Sequence, residues 1–128
     1  MKKLFRLMAM AIVAIAFAAC GSSNTPEAVA KKYVKAYQDS DWKTMAAVTD
    51  LSEEDQAQFA QLCEAKGDAM KQETGGIKDF AIKDVQIAED GQSAKVIYDL
   101  EYGNGRKDEN GKINMIQVDG KWKVKFSF

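Results

Sequence analysis

The spacing of apolar residues changes at Gly75-Gly76, and this change limits the chain to few architectures. Before the glycines, apolar residues recur three and four apart, as on helix faces. After them, apolar and polar residues alternate, as in half-buried strands. Pro26 suits a first helical turn, with Thr25 as N-cap and Glu27 near the positive helix end. Val29, Tyr33, Ala36 and Tyr37 then share one face, with Lys31, Lys32 and Lys35 mostly off it, and Gln38-Asp39-Ser40 ends the segment. Ser40 or Asp41 caps a short second helix carrying Trp42, Met45, Ala46 and Val48. Ser52 and Asp55 open a third, capping-box-like helix, with Phe59, Leu62, Cys63, Ala69 and Met70 expected on its inner face. Gly67 interrupts it at a cost of about 1 kcal/mol relative to alanine, a position suited to close packing. Gly75-Gly76 stops it.

Beyond Gly76, Phe80 and Ile82 alternate, and Val85 and Ile87 continue in the opposite phase. Such a slip inside one strand predicts a β-bulge near Lys83-Asp84. Asp90-Gly91 marks a hairpin. Ala94, Val96, Tyr98, Leu100 and Tyr102 alternate without a break. Gly103 to Lys112 reads as a polar loop with Asn-Gly pairs at 104–105 and 110–111, followed by a strand from Ile113 to Val118. Asp119-Gly120 is a second tight turn, and Trp122, Val124, Phe126 and Phe128 alternate with Lys121, Lys123 and Lys125. Three helices followed by four antiparallel strands is an α+β layer fold, with the helices on one face of the sheet. Asp99 and Glu101 would pair with the terminal lysines across the outer face if those strands were neighbours.

The start of the chain obeys different rules. Lys2, Lys3 and Arg6 precede an uncharged stretch from Leu7 to Cys20. Its fourteen residues fall short of the ~20 needed to cross a bilayer but suit a signal-peptide core. The box Phe17-Ala18-Ala19-Cys20 resembles the lipobox of bacterial lipoproteins, although phenylalanine stands where leucine is commoner. That resemblance implies cleavage before Cys20 and acylation of that cysteine with two or three chains, enough for stable attachment. Residues 1–19 are then the signal peptide, 20–25 the acylated cysteine and tether, and 26–128 a single domain.

Loss of residues 1–19 takes lysine plus arginine from 18 to 15 and leaves all 19 acidic residues, a net charge of −4. This balance argues against nucleic-acid binding and against electrostatic attachment to anionic lipid, so the acyl chains are expected to anchor alone. Cys63 is left without an internal partner. It reads as a buried thiol, with a reactive nucleophile as the sharper alternative.

Thr25-Pro26-Glu27-Ala28-Val29, Ser40-Asp41-Trp42, Ala94-Lys95-Val96 and Asp119-Gly120-Lys121-Trp122-Lys123-Val124 occur in that order along the chain. The arrangement resembles the cone-shaped nuclear transport factor 2-like (cystatin-like) superfamily. More narrowly, it is similar to small Gram-negative lipoproteins carrying one such domain of unknown function. The resemblance implies a curved sheet with a cavity between helices and concave face. Tyr33, Tyr37, Trp42, Phe59, Tyr98, Met115 and Trp122 are the candidate lining, or, in the plainer reading, core.

No histidine occurs anywhere, which removes histidine-based triads, cysteine–histidine pairs and most zinc sites. Gly103-Asn104-Gly105 lacks the third glycine of a dinucleotide fingerprint, and the glycine of Asp108-Glu109-Asn110-Gly111 comes too early for an EF-hand. No metal or cofactor is expected, and no catalytic residue is assigned. Some superfamily members pair a buried aspartate with a tyrosine. Here Asp41 and Asp50 come nearest to that, and both read better as caps or loop residues.

The expectation is a non-enzymatic domain anchored through Cys20, on the periplasmic face of an outer membrane. It would be a monomer or weak homodimer, binding a small apolar ligand or a protein partner. No aspartate follows Cys20 to retain it at the inner membrane. The alternatives are an interaction module with a filled core or a cofactor-free isomerase or hydrolase.

Overall fold

The computed structural model describes residues 24–126. The Phe17–Cys20 box, the signal sequence and Phe128 lie outside the described residues. Three helices precede four strands: α1 (Pro26–Gln38), α2 (Trp42–Ala47), α3 (Glu53–Thr74), β1 (Ile77–Ile87), β2 (Ser93–Tyr102), β3 (Lys107–Val118) and β4 (Lys121–Val124). The strands form one antiparallel sheet in the order β1-β2-β3-β4.

Helix ends follow the local chemistry of the sequence. The Thr25 side chain accepts a hydrogen bond from the Ala28 amide at 3.1 Å, with Pro26 in the first turn. Asp41, rather than Ser40, caps α2 through the Thr44 amide at 3.3 Å. Ser52 caps α3 through the Asp55 amide at 3.2 Å, and Gly75 ends that helix in the left-handed conformation at φ 79°.

Two side-chain amides pin α1 to the sheet. At its start, Asn24 accepts from the Trp122 amide and donates to the Gly120 carbonyl, both at 2.9 Å, clasping the β3–β4 turn. At its end, Gln38 accepts from the Ile77 amide at 2.9 Å and donates to the Ile77 carbonyl at 3.0 Å. Each amide supplies a donor and an acceptor in one plane, so it pairs with backbone as a neighbouring strand would. The core lies between α1 and the inner sheet face: Val29, Ala30, Val48, Val85, Ala94, Val96, Met115, Trp122 and Val124 are buried together. Burying each such large apolar side chain contributes roughly 1.5–3 kcal/mol.

Strand β1 carries two extra residues relative to β2. The register shifts between Ile77 and Asp79 and again between Ile82 and Asp84, so Lys78 and Lys83 are each inserted. The second bulge is the one expected from the phase slip, and the first was not expected. Both follow from a repeat: Ile77-Lys78-Asp79 and Ile82-Lys83-Asp84 begin successive five-residue units. Each unit sets isoleucine inward, inserts a lysine and returns to alternation. Phe80, Ile82, Val85 and Ile87 therefore all face inward, opposite Leu100, Tyr98, Val96 and Ala94.

The segment 107–112 corrects the reading of a loop from Gly103 to Lys112. It belongs to β3, and only 103–106 turn. Asn110-Gly111 makes a bulge within the strand instead of a turn, because β3 has an extra residue between the Tyr98–Gly111 and Leu100–Asp108 pairs. Asn110 adopts φ 57°, which asparagine tolerates. Gly111 is needed because a Cβ there would lie 2.4 Å from the Tyr98 ring.

Asp99 links the bulges across the outer face. Its carboxylate accepts from the Asn110 amide at 3.0 Å and lies 3.7 Å from the Lys83 ammonium, which donates to the Asn110 side chain at 2.7 Å. The terminal lysines do not pair with Asp99 and Glu101, since β3 separates β2 from β4. Their partners are Lys83 and Lys78 of β1.

The third helix also departs from expectation. Leu62 and Met70 are 55% exposed, and Ala69 is exposed. The inner face runs instead through Phe59, Ala60, Cys63 and Gly67. This stripe is narrow because α3 packs against α2 rather than the sheet. Gly67 is the tightest point: a Cβ there would lie 2.5 Å from the Trp42 ring.

Candidate functional site

The bend at Lys83, Asp99 and Asn110 divides the inner sheet face. On one side, Val85, Ala94, Val96 and Met115 are sealed beneath α1 and α2. On the other, Phe80, Ile82, Tyr98 and Tyr102 remain half-buried around the buried Leu100. Facing them are Tyr33 and Tyr37 from α1, Phe59 and Cys63 from α3, and Phe126 after β4, all half-buried. Bulges in β1 and β3 curve the sheet, and α3 stands on α2, so this half of the concave face stays incompletely covered.

The candidate residues separate along this division. Tyr33, Phe59 and Tyr98 come together at the open half. The Phe126 ring lies 6.0 Å from Tyr33 and 5.1 Å from Phe59, and Tyr98 stacks obliquely on Phe80 at 5.3 Å. Tyr37 meets the Trp42 ring edge-on at 5.9 Å. Trp42 is buried with Ala36 and Met45. Met115 and Trp122 belong to the sealed core, at 1% and 8% exposure, which leaves them almost no surface to offer a ligand. Phe80, Ile82, Tyr102 and Phe126 were not among the candidates, although their inward phase was readable.

Burial dominates the electrostatics. It raises the Tyr33 phenol pKa well above the ordinary tyrosine value, and the nearby Cys63 and Tyr98 add to the shift. Tyr98 is raised by burial and then by the charge of Asp108. Tyr102 is raised by burial and by Asp108, whose carboxylate accepts its hydroxyl at 3.2 Å. Burial also raises the Cys63 thiol. At neutral pH the site therefore presents neutral phenols and a thiol on an aromatic surface. Among the described residues, the Tyr33 and Tyr98 hydroxyls make no hydrogen bond, and no three His, Cys, Asp or Glu side chains converge as a metal site. A separate open groove of about 340 Å³ runs between α2 and α3, where Lys43, Glu53, Gln56 and Glu64 surround a floor of Ala46 and Ala60. None of the candidate aromatics lines it.

No protein-family model matches the chain, and no curated protein matches it. Solved structures do. A protein from Campylobacter jejuni, provisionally described as an NTF2-like transpeptidase, superposes with TM-score 0.63 at 25% identity, covering 80% of this chain and 99% of that one. The domain has an NTF2-like fold. A SEC-C motif protein from Rhodopseudomonas palustris shares the fold at TM-score 0.55 and 16% identity, covering 88% of this chain and 84% of that one. The NTF2-like likeness agrees with the order of helices before sheet. Among the described residues no helix is long and apolar enough to cross a membrane.

Proposed function

We propose that this chain is a bacterial lipoprotein, acylated on Cys20, whose NTF2-like domain binds a small, largely apolar ligand in the open half of its concave face. The observation that carries the binding reading is the set of half-buried aromatics around two phenols without hydrogen-bond partners among the described residues. Both hydroxyls keep contact with solvent, so each is free to donate to a ligand carbonyl or ether oxygen. Aromatic walls with few polar groups are the usual lining of small-molecule sites. Support for anchoring is the run Phe17-Ala18-Ala19-Cys20 after a cationic, apolar leader, and the absence of aspartate after Cys20 favours an outer-membrane, periplasm-facing destination.

Binding is preferred to catalysis on chemical grounds. A transpeptidase, as the Campylobacter neighbour is provisionally described, needs an activated nucleophile. Cys63 lies where burial disfavours its thiolate, and the chain has no histidine to take its proton. An interaction module is the second reading, favoured by the sealed positions of Trp42, Met115 and Trp122.

Two experiments test the proposal. Cys20→Ser should release the protein from the membrane fraction of its producing cells, and unchanged retention defeats the anchor. Nile red, a neutral solvatochromic dye, should bind saturably to the full chain. Ile82→Glu, which sets a charge on the open concave half, should weaken that binding at least tenfold. Non-saturable binding, or binding indifferent to Ile82→Glu, removes the ligand site.

A further inference from the structure

The net charge, −1 for the whole sequence and −4 without residues 1–19, hides a strong asymmetry. Helix α3 carries Glu53, Glu54, Asp55, Glu64, Asp68 and Glu73 against Lys66 and Lys71. The outer sheet face beyond the bend carries the opposite sign. Lys95 and Lys125 flank Asn114 across β2, β3 and the end of β4; Lys112 stands opposite Ile97, Lys123 opposite Ile116 and Lys121 opposite Val118. Lys121, Lys123 and Lys125 point outward because Trp122, Val124 and Phe126 between them turn inward. Five lysines thus share one face with Ile97, Ile116 and Val118, and no acidic residue occupies 93–97, 112–118 or 121–125. Acidic groups around it are Asp119, Glu89 and Asp90 in the turns, Asp84 opposite Ile97, Asp99 beside the bend, and Asp50, whose carboxylate accepts from the Phe126 amide at 2.7 Å. Among the described residues none of the five lysines forms an ion pair; Lys123 donates to the Ala47 carbonyl at 2.9 Å.

The chain leaves this face at a defined point. Asn24 is clasped to the β3–β4 turn, next to Lys121. Only Gly21, Ser22 and Ser23 separate it from Cys20. Four Cα–Cα steps of about 3.8 Å span at most ~15 Å. An anchor at Cys20 therefore keeps Asn24, at the Lys121 edge of the face, within about two Debye lengths of the lipid headgroups at physiological ionic strength.

We infer that the outer face of β2–β4 rests on an anionic phospholipid surface, as a second attachment beside the acyl chains. The short reach rests on the anchoring reading above; the face itself does not. This reverses the expectation drawn from net charge, because a surface responds to the charges of the face that meets it. Each lysine close to an anionic leaflet strengthens attachment about fivefold. Docking by this face turns the acidic α3 and the open concave half away from the lipid.

The test uses the full acylated chain in phosphatidylcholine vesicles, with and without one-quarter phosphatidylglycerol. Brief lysine acylation is read residue by residue by mass spectrometry. On anionic vesicles at low salt, Lys95, Lys112, Lys121 and Lys125 should react at least fivefold more slowly than Lys43 and Lys66 on the helices. High salt or neutral vesicles should abolish the difference. In the double variant Lys95→Gln, Lys112→Gln, protection of Lys121 and Lys125 should fall at least threefold. Sedimentation with both vesicles but equal lysine reactivity overturns the docking face and leaves the anchor standing. Failure to sediment with either overturns the anchor and the docking with it. Protection in native envelope vesicles but not on phosphatidylglycerol overturns the lipid surface in favour of a protein partner.

Discussion

Gly67 shows how one residue can set the spacing of two elements. Its missing side chain lets the Trp42 ring lie against the α3 backbone, where a Cβ would be 2.5 Å away. Gly67→Ala gains about 1 kcal/mol of helix propensity but overpacks a filled site, at a typical cost of ~1–3 kcal/mol. The urea midpoint should fall, and it should fall less in a Trp42→Phe background, where the ring is smaller. Equal losses in both backgrounds would place the cost elsewhere. The phenols make a second prediction. Burial raises Tyr33, Tyr98 and Tyr102 above the ordinary tyrosine pKa of about 10. Above that pH the unfolded chain has released protons that the folded chain still holds, so rising pH favours unfolding. Stability from these groups is complete below about pH 10 and is lost as pH climbs toward the folded-state values. Urea midpoints should drop between about pH 8 and pH 11, and by less in Tyr33→Phe. At this scale much was legible: Thr25, Asp41, Ser52 and Gly75 act as local chemistry dictates. The clasps made by Asn24 and Gln38 were not, because their backbone partners are 98 and 39 residues away.

Among the elements, β1 carries the most information per residue. Its two bulges keep the inward set in phase while the strand bends, and they place lysines along the open edge of the sheet, where charge discourages pairing with another chain. The opposite edge is covered, since Val124 donates to the Val48 carbonyl at 2.7 Å and accepts from the Asp50 amide at 2.9 Å. If Lys83 is an inserted residue, its deletion leaves Ile82, Val85 and Ile87 facing inward, and the domain should fold with a loss of roughly 1–3 kcal/mol. Deletion of Ala81, a regular position, turns Ile82 to the other face and should give an unfolded or aggregated chain. Similar stability in the two deletion variants would refute the assignment. The Lys83 bulge was readable from the slip in hydrophobic phase. The Lys78 bulge had a signal in the repeated Ile-Lys-Asp, which became meaningful once the first bulge was seen. Asn110-Gly111 was misread because a dipeptide that permits positive φ serves a turn and a bulge equally well. Leu62 and Met70 were misread because apolar spacing on a long helix does not say how wide a stripe its neighbour can cover.

Across the whole molecule, the same limit explains the candidate site. Alternation tells inward from outward, and it placed Tyr98, Met115 and Trp122 on the correct face. It cannot tell the sealed half of that face from the open half, which depends on where α1 and α2 end and where the sheet bends. Net charge is blind in the same way to which face carries it, since it adds an acidic helix to a basic sheet. The uneven covering of the sheet has an energetic consequence. Strands β2 and β3 run through the core, while α3, with 22 residues, fully buries only Gly67. Its N-terminal half is held by Phe59, Ala60 and Cys63, and its C-terminus by the Asn104 amide, which donates to the Thr74 carbonyl at 2.9 Å. Opening such a helix forfeits little apolar burial, so it should occur well below the free energy of global unfolding. Native-state hydrogen exchange should show central α3 amides exchanging at least tenfold faster than those of Val96 and Met115. Their exchange should also respond less steeply to denaturant, because local opening exposes less surface. Because α3 supplies Phe59 and Cys63 to the open concave half, a bound apolar ligand should slow α3 exchange selectively. Protection of α3 equal to that of β2, with the same denaturant dependence, would show that the helix opens only with the whole domain.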